Sequence, residues 1–200
     1  MTPIPSLVLV TDRHATEGRE LVAVVTAALD AGLPAVQLRE KDLPGRQLLE
    51  IAEQLRTATA RTGALLLVND RIDVALAVGA DGVHLGGTSV PVAVARSLVG
   101  PEGLIGVSTH APDELRALIG ADFAFFGAVY ATPGKTAVGP AALAAAVGAA
   151  AVPVLAIGGI TVRQVPAVRA AGAAGVAVIR AILGAPDPAA ATHELVRALV

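Results

Sequence analysis

Short apolar, β-branched runs alternate with longer helix-forming segments along the whole chain. The runs fall at residues 7–11, 35–38, 65–68, 82–85, 104–107, 123–129, 152–157 and 175–179, and each is closed by a polar residue or Gly. Uninterrupted apolar runs of this length suit strands of a parallel sheet covered on both faces. Between them, residues 20–29, 46–59, 92–98, 113–118, 141–149, 163–171 and 189–199 are rich in Ala, Leu, Arg and Glu and predict helices, with one more short helix after Asp70. The joints repeat as well. Ala31-Gly32, Gly79-Ala80-Asp81-Gly82, Gly120-Ala121-Asp122 and Ala171-Gly172-Ala173-Ala174-Gly175 precede the second, fourth, sixth and eighth runs, and Gly ends a helix in the left-handed conformation at little cost. Eight βα units predict a single-domain (β/α)8 TIM barrel over residues 1–200. The alternative, an open doubly wound sheet, wants a Gly-rich turn after its first strand, where Thr11-Asp12-Arg13-His14 stands.

Composition changes this picture in three places. Hydrophobic residues make up 54% of the chain and aromatics only 2%, so the core is built from Ala, Val, Leu and Ile. The hydropathy raises a membrane span, and residues 136–162 carry no charge. They are long enough, since about 20 residues suffice, but Pro140, Pro153, several glycines and abundant Ala predict a soluble helix, a turn and a buried strand instead. With 15 basic and 17 acidic residues, the net charge of −2 supplies no general attraction to nucleic acid or to an anionic membrane. Disorder needs the opposite balance of charge and hydropathy. The absence of Cys removes disulfides, thiolate zinc sites and Cys nucleophiles. Met1-Thr2-Pro3-Ile4-Pro5 has no basic n-region and no cleavage site. The expectation is a cytoplasmic enzyme or binding protein for a small molecule, with a homodimer compatible with the sequence.

In a barrel, chemistry sits at the C-terminal ends of the strands. There the chain carries Asp12; Gln37, Arg39 and Lys41; Asn69 and Asp70; His84; Ser108 and His110; Thr132 and Lys135; and Gly158-Gly159. Each has a plainer role. Asp12, Asn69 or Asp70 would cap helices, and His84 or His110 would be hydrogen-bonded core residues. Alternation turns Gln37, Arg39 and Lys41 toward the barrel mouth, where paired cations call for an anionic ligand, or for an internal partner of Arg39 such as Asp70. Asn69-Asp70 could hold Mg²⁺ on a phosphate, because that ion takes one or two carboxylates plus substrate oxygens. Gly158-Gly159, with the ending of the eighth run, suits phosphate held by backbone amides. Lys135 lies in the loop Thr132-Pro133-Gly134-Lys135-Thr136, a solvated Lys or a mobile clamp on an anion. Two anion subsites fit a substrate pair carrying a diphosphate and a monophosphate.

The chain resembles the thiamine phosphate synthase family and its TenI-like thiazole tautomerase relatives. The resemblance spans essentially the whole length. It rests on Val36-Gln37-Leu38-Arg39-Glu40-Lys41, Val68-Asn69-Asp70-Arg71, Gly79-Ala80-Asp81-Gly82-Val83-His84-Leu85-Gly86, Ile105-Gly106-Val107-Ser108-Thr109-His110, Gly120-Ala121-Asp122-Phe123 and Ala156-Ile157-Gly158-Gly159-Ile160. It implies a (β/α)8 fold and a reaction joining hydroxymethylpyrimidine diphosphate to thiazole phosphate with release of pyrophosphate. By resemblance, Gln37 meets the pyrimidine, and Arg39, Lys41, Asn69 and Lys135 hold the diphosphate. Asp70 binds Mg²⁺, Ser108 stabilises the reacting pair, Thr132 lines the thiazole side, and Gly159 and the Ile179 amide hold the thiazole phosphate.

The chain departs from the family pattern at several points. Ser89 stands where the synthases carry a second Mg²⁺-binding Asp, which predicts weaker Mg²⁺ binding. Gly134 replaces a loop Thr and Arg180 replaces Ser. Ala128 follows Gly127 where the tautomerases have a catalytic His, leaving His84 or His110 to serve as the acid/base in that alternative. A non-catalytic protein that binds the thiazole or thiamine phosphate is the third reading.

Overall fold

The computed structural model describes residues 3–200. Met1 and Thr2, which open the stretch considered above for a targeting signal, lie outside the described residues. The strands are β1 (Leu7–Val10), β2 (Ala35–Leu38), β3 (Leu65–Asn69), β4 (Gly82–Leu85), β5 (Leu104–Thr109), β6 (Phe123–Phe126), β7 (Val154–Ile157) and β8 (Gly175–Val178). They pair in chain order and in parallel, and β8 returns to β1, giving the closed (β/α)8 barrel expected from the eightfold pattern. Among the described residues the helices are α1 (Leu21–Asp30), α2 (Gly45–Thr62), α3 (Ile72–Val78), α4 (Val92–Val99), α5 (Pro112–Arg116), α6 (Gly139–Ala149), α7 (Val165–Ala170), α8 (Arg180–Leu183) and α9 (Pro188–Leu199).

The differences from expectation are local. The sixth run ends as a strand at Phe126, although Val129 is fully buried. Hydrophobicity reports burial there, not ladder pairing. The fifth strand runs on to Thr109, which places Ser108 inside the sheet. The short α8 was not foreseen, since four residues are too few to show helical periodicity. The charge-free stretch forms α6, a turn and β7, and no helix among the described residues is long and apolar enough to cross a membrane.

The core has two layers. One lies between strands and helices. The other fills the lumen with inward residues such as Val8, Leu67, Phe123, Phe125 and Leu155. All three Phe residues of the chain stand on β6, two of them facing the lumen. Their bulk fits because the neighbouring strand carries Gly106, where a Cβ would lie 2.3 Å from the Phe123 ring.

At the N-terminal end of the barrel, the Gly-Ala-Asp joints explain their own repetition. Asp81 accepts the Leu66 N–H at 2.7 Å and the Arg56 guanidinium of α2 at 2.8 Å. Asp122 repeats this one unit pair later, with the Ile105 N–H at 2.7 Å and Arg96 of α4 at 2.6 Å. Each Asp ties a strand to the helix preceding it. Before β8 the Asp position is Ala174. Asp122→Ala leaves a strand N–H and an Arg without their shared acceptor and is expected to cost about 2 kcal/mol, read as a lower urea midpoint at unchanged slope.

Candidate active site

A cavity of about 450 Å³ opens at the C-terminal ends of the strands. Gln37 and Ser108 reach it from within β2 and β5, and Asn69 from the end of β3. Arg39, Thr132, Lys135, Gly159 and Ile179 surround its mouth. Of the residues singled out from the sequence, Lys41 and Asp70 lie elsewhere, lining an adjoining groove of about 220 Å³ that shares Asn69 with the main cavity.

For Lys41 this corrects the alternation argument. β2 ends at Leu38, so the two-residue period does not carry through Glu40. The chain is instead pinned by side chains from the β1–α1 loop. The Arg39 N–H donates to Thr11 Oγ1 at 2.8 Å, and the buried Glu40 carboxylate accepts both the backbone N–H and the guanidinium of Arg13 at 3.2 Å. Arg13 also grips Asp42 at 2.5 and 2.6 Å, which holds the exposed Asp42 carboxyl well below the usual range. This Arg13–Glu40–Asp42 network left no sequence signal, since its members lie 27 to 29 residues apart. Lys41 is left over the groove, 4.0 Å from Asp70.

The cavity is electrostatically lopsided. Arg39, Lys135 and Arg180 all line it, and among the described residues none of them forms an ion pair or a side-chain hydrogen bond. The internal Arg39–Asp70 pair is therefore not made. Asp12 is the carboxylate in the lining, and it is engaged by the His14 N–H at 3.1 Å, capping the turn Arg13–Ala15. For Asp12 the plainer role holds. Half-buried Arg39 and exposed Lys135 and Arg180, gathered without partners around one cavity, favour an anionic ligand.

Asp70 does not cap α3, whose N-terminus has no side-chain cap. It sits at φ +60°, with its N–H donating to the His84 carbonyl at 3.0 Å. This left-handed backbone directs the carboxylate into the groove. Oδ2 accepts from Asn69 Nδ2 at 2.8 Å, and Oδ1 accepts from the Ser89 hydroxyl. Ser89 in turn accepts the Gly86 N–H at 2.6 Å. No cluster of three or more His, Cys, Asp or Glu that could hold a metal occurs among the described residues. A donor set of one carboxylate, one hydroxyl and one amide excludes an all-protein cage. It fits Mg²⁺, which keeps waters and completes its shell with phosphate oxygens.

On the lumen floor, His84 Nε2 lies 2.9 Å from Ser108 Oγ, and the imidazole packs 4.2 Å from the Phe125 ring. Burial pushes its pKa down to about 3, with Asp70 opposing and Arg39 reinforcing. Gln37 is equally buried, and its Nε2 has no partner. At the rim, His110 Nδ1 is 2.7 Å from the Gly127 carbonyl. The glycines after β7 have a steric reason: a Cβ on Gly159 would lie 2.5 Å from the Ala131 carbonyl oxygen. In the β6–α6 loop, Gly134 at φ +76° makes the turn that brings the Lys135 N–H to Thr132 O at 3.0 Å.

The family described as thiamine monophosphate synthase matches residues 7–182. The chain belongs to that family. It is 54% identical over 201 residues to a putative thiamine-phosphate synthase of Geobacter sulfurreducens, covering 98% of this chain and 92% of that protein. A thiamine-phosphate synthase of Gloeobacter violaceus is 51% identical over 191 residues, 93% of this chain but 55% of that longer protein. The solved thiamine phosphate pyrophosphorylase of Pyrococcus furiosus superposes with a TM-score of 0.89 at 38% identity, covering 97% and 95% of the two chains. Within this thiamine monophosphate synthase barrel, Phe125 is the aromatic cavity residue that sequence reasoning missed, along with apolar lining such as Val10 and Ala177. Its parity with Phe123 on β6 was the available signal.

His84 binds its proton in the unfolded chain near pH 6.5 but in the folded protein only near pH 3. The unfolded state therefore carries the extra proton between those values. Stability contributed by neutral His84 is complete above pH 6.5 and is lost as pH falls toward 3, at about 1.4 kcal/mol per pH unit. Urea titrations across this range should show His84→Gln losing stability less steeply than the parent.

Proposed function

We propose that this chain is a thiamine-phosphate synthase, acting on hydroxymethylpyrimidine diphosphate and thiazole phosphate. The observation that carries the reading is the set of cations without partners, Arg39, Lys135 and Arg180, around one cavity, in a chain that covers 92% and 87% of two relatives bearing that name. Arg39 and Asn69, with Lys41 from the groove and Lys135 from the loop, hold the diphosphate. Gly159, Ile179 and Arg180 hold the monophosphate at the β7–β8 side, and Thr132 lines the thiazole between them. Gln37, whose buried Nε2 needs an acceptor, meets the pyrimidine.

The reaction breaks the C–O bond between the pyrimidine methylene and the diphosphate. The bonding electrons leave with pyrophosphate, and the thiazole nitrogen forms the new C–N bond with its lone pair. No protein nucleophile is needed. The work of the site is to neutralise charge as it develops on the leaving oxygens and to bring the two rings within bonding reach. Asp70, supported by Asn69 and Ser89, would hold Mg²⁺, which supplies further neutralisation of the diphosphate when bound. The isomerase alternative has less support, because His84 is neutral and enclosed and His110 Nδ1 is engaged by the Gly127 carbonyl. As a biosynthetic enzyme the protein would work in the cytoplasm.

Purified protein should release pyrophosphate from the two phosphorylated precursors in a Mg²⁺-dependent manner. Arg39→Ala and Asp70→Asn are each expected to lower kcat/KM by about 10² or more. Lys41→Ala should weaken inorganic pyrophosphate binding while changing stability by less than about 0.5 kcal/mol. A folded protein that shows no turnover at millimolar Mg²⁺ would sink the synthase reading and leave the binding-protein alternative.

A further inference from the structure

His84 is wholly enclosed, yet only one of its ring nitrogens has a partner. Nε2 faces Ser108 Oγ at 2.9 Å, while Nδ1 is buried with no hydrogen-bonding group in reach. The surroundings of Nδ1 are apolar. The ring centroid is 5.9 Å from that of Phe123, and Nδ1 lies 2.5 Å from the point where a Cβ on Gly106 would stand.

A neutral imidazole carries one N–H, so two arrangements compete. With the proton on Nδ1, a donor is buried against Phe123 and Gly106 with nothing to accept it. With the proton on Nε2, only a lone pair is left alone, and the N–H donates to Ser108. Orphaned buried donors are the rarer and costlier defect.

We propose that His84 is a positioning residue, held as the Nε2–H tautomer, which makes Ser108 a one-way hydrogen-bond donor to the bound substrate. Ser108 Oγ receives the His84 proton, and among the described residues it has no other partner. Its own hydrogen is therefore free only toward the cavity that Ser108 lines. The opposite tautomer would consume the Ser108 hydrogen and present an acceptor instead. A second proton, on Nδ1, would find no acceptor between the Phe123 and Phe125 rings, so the enclosed ring holds one proton only. The inference rests on the synthase reading for the identity of the ligand. The acceptor belongs to the pyrimidine diphosphate, where a fixed donor gains strength as charge gathers on the leaving oxygen. This assignment takes His84 out of proton transfer.

The test combines ¹⁵N-histidine NMR on the full chain with kinetics. The NMR should give a neutral Nε2–H ring for His84 at pH 7, whose Nε2 proton shifts in Ser108→Ala. Ser108→Ala and His84→Leu should each lower kcat by about 10² with the KM for thiazole phosphate unchanged, and their effects should not add. His84→Gln, whose amide can donate from the Nε2 position, should recover most of kcat. An Nδ1–H tautomer, a charged ring at pH 7, or additive losses would overturn the proposal. If His84→Leu does not fold, the Ser108→Ala spectrum decides. If the parent makes no thiamine phosphate, the synthase reading fails by itself, and the tautomer in the NMR still decides whether His84 is locked.

Discussion

Closure of the barrel is the constraint on which everything else depends. Once β8 pairs with β1, every second residue of each strand must face the lumen, and the register decides which residues meet there. The pairs Asn69↔His84, His84↔Gly106, Gly106↔Phe123 and Ser108↔Phe125 follow one another around the barrel. Moving one strand by one residue would turn its inward set outward. The lumen floor is thus a direct consequence of the ladder.

That floor is built unevenly, and the unevenness makes the site. The chain has few aromatic residues and spends two of its Phe on the lumen of β6, opposite Gly106. The bulk fills one side of the lumen and encloses His84. Gln37 enters from β2 with its amide nitrogen unanswered. Buried polar groups are normally satisfied, so the Gln37 amide marks where a ligand completes the structure. Above them the cations stand without carboxylate partners, because the acidic groups nearby are engaged elsewhere. Glu40 holds Arg13, and Asp12 caps a turn.

The departures from the family pattern acquire physical content in this setting. Ser89 donates to the Asp70 carboxylate and so orients it, where a second carboxylate would repel it until a cation arrived. Gly134 permits the left-handed turn beneath Lys135. Arg180 adds a charge at the β8 end of the cavity.

The amino-acid sequence by itself determined the number and order of the strands, the single closed barrel and the rim at which the cavity opens. It could do so because eight apolar runs and recurring Gly-Ala joints are local signals, each read within a few residues. It also named most of the polar cavity residues, since they lie at or near the C-terminal ends of strands. Tertiary structure alone decided which polar groups meet. Lys41 fell outside the main cavity because β2 stops at Leu38 and Glu40 is captured by Arg13. Val129 is apolar without belonging to a strand. The partnering of His84 with Ser108, and the solitude of Arg39, arise between residues far apart in the chain, and strand register and burial, which no local pattern encodes, bring them about.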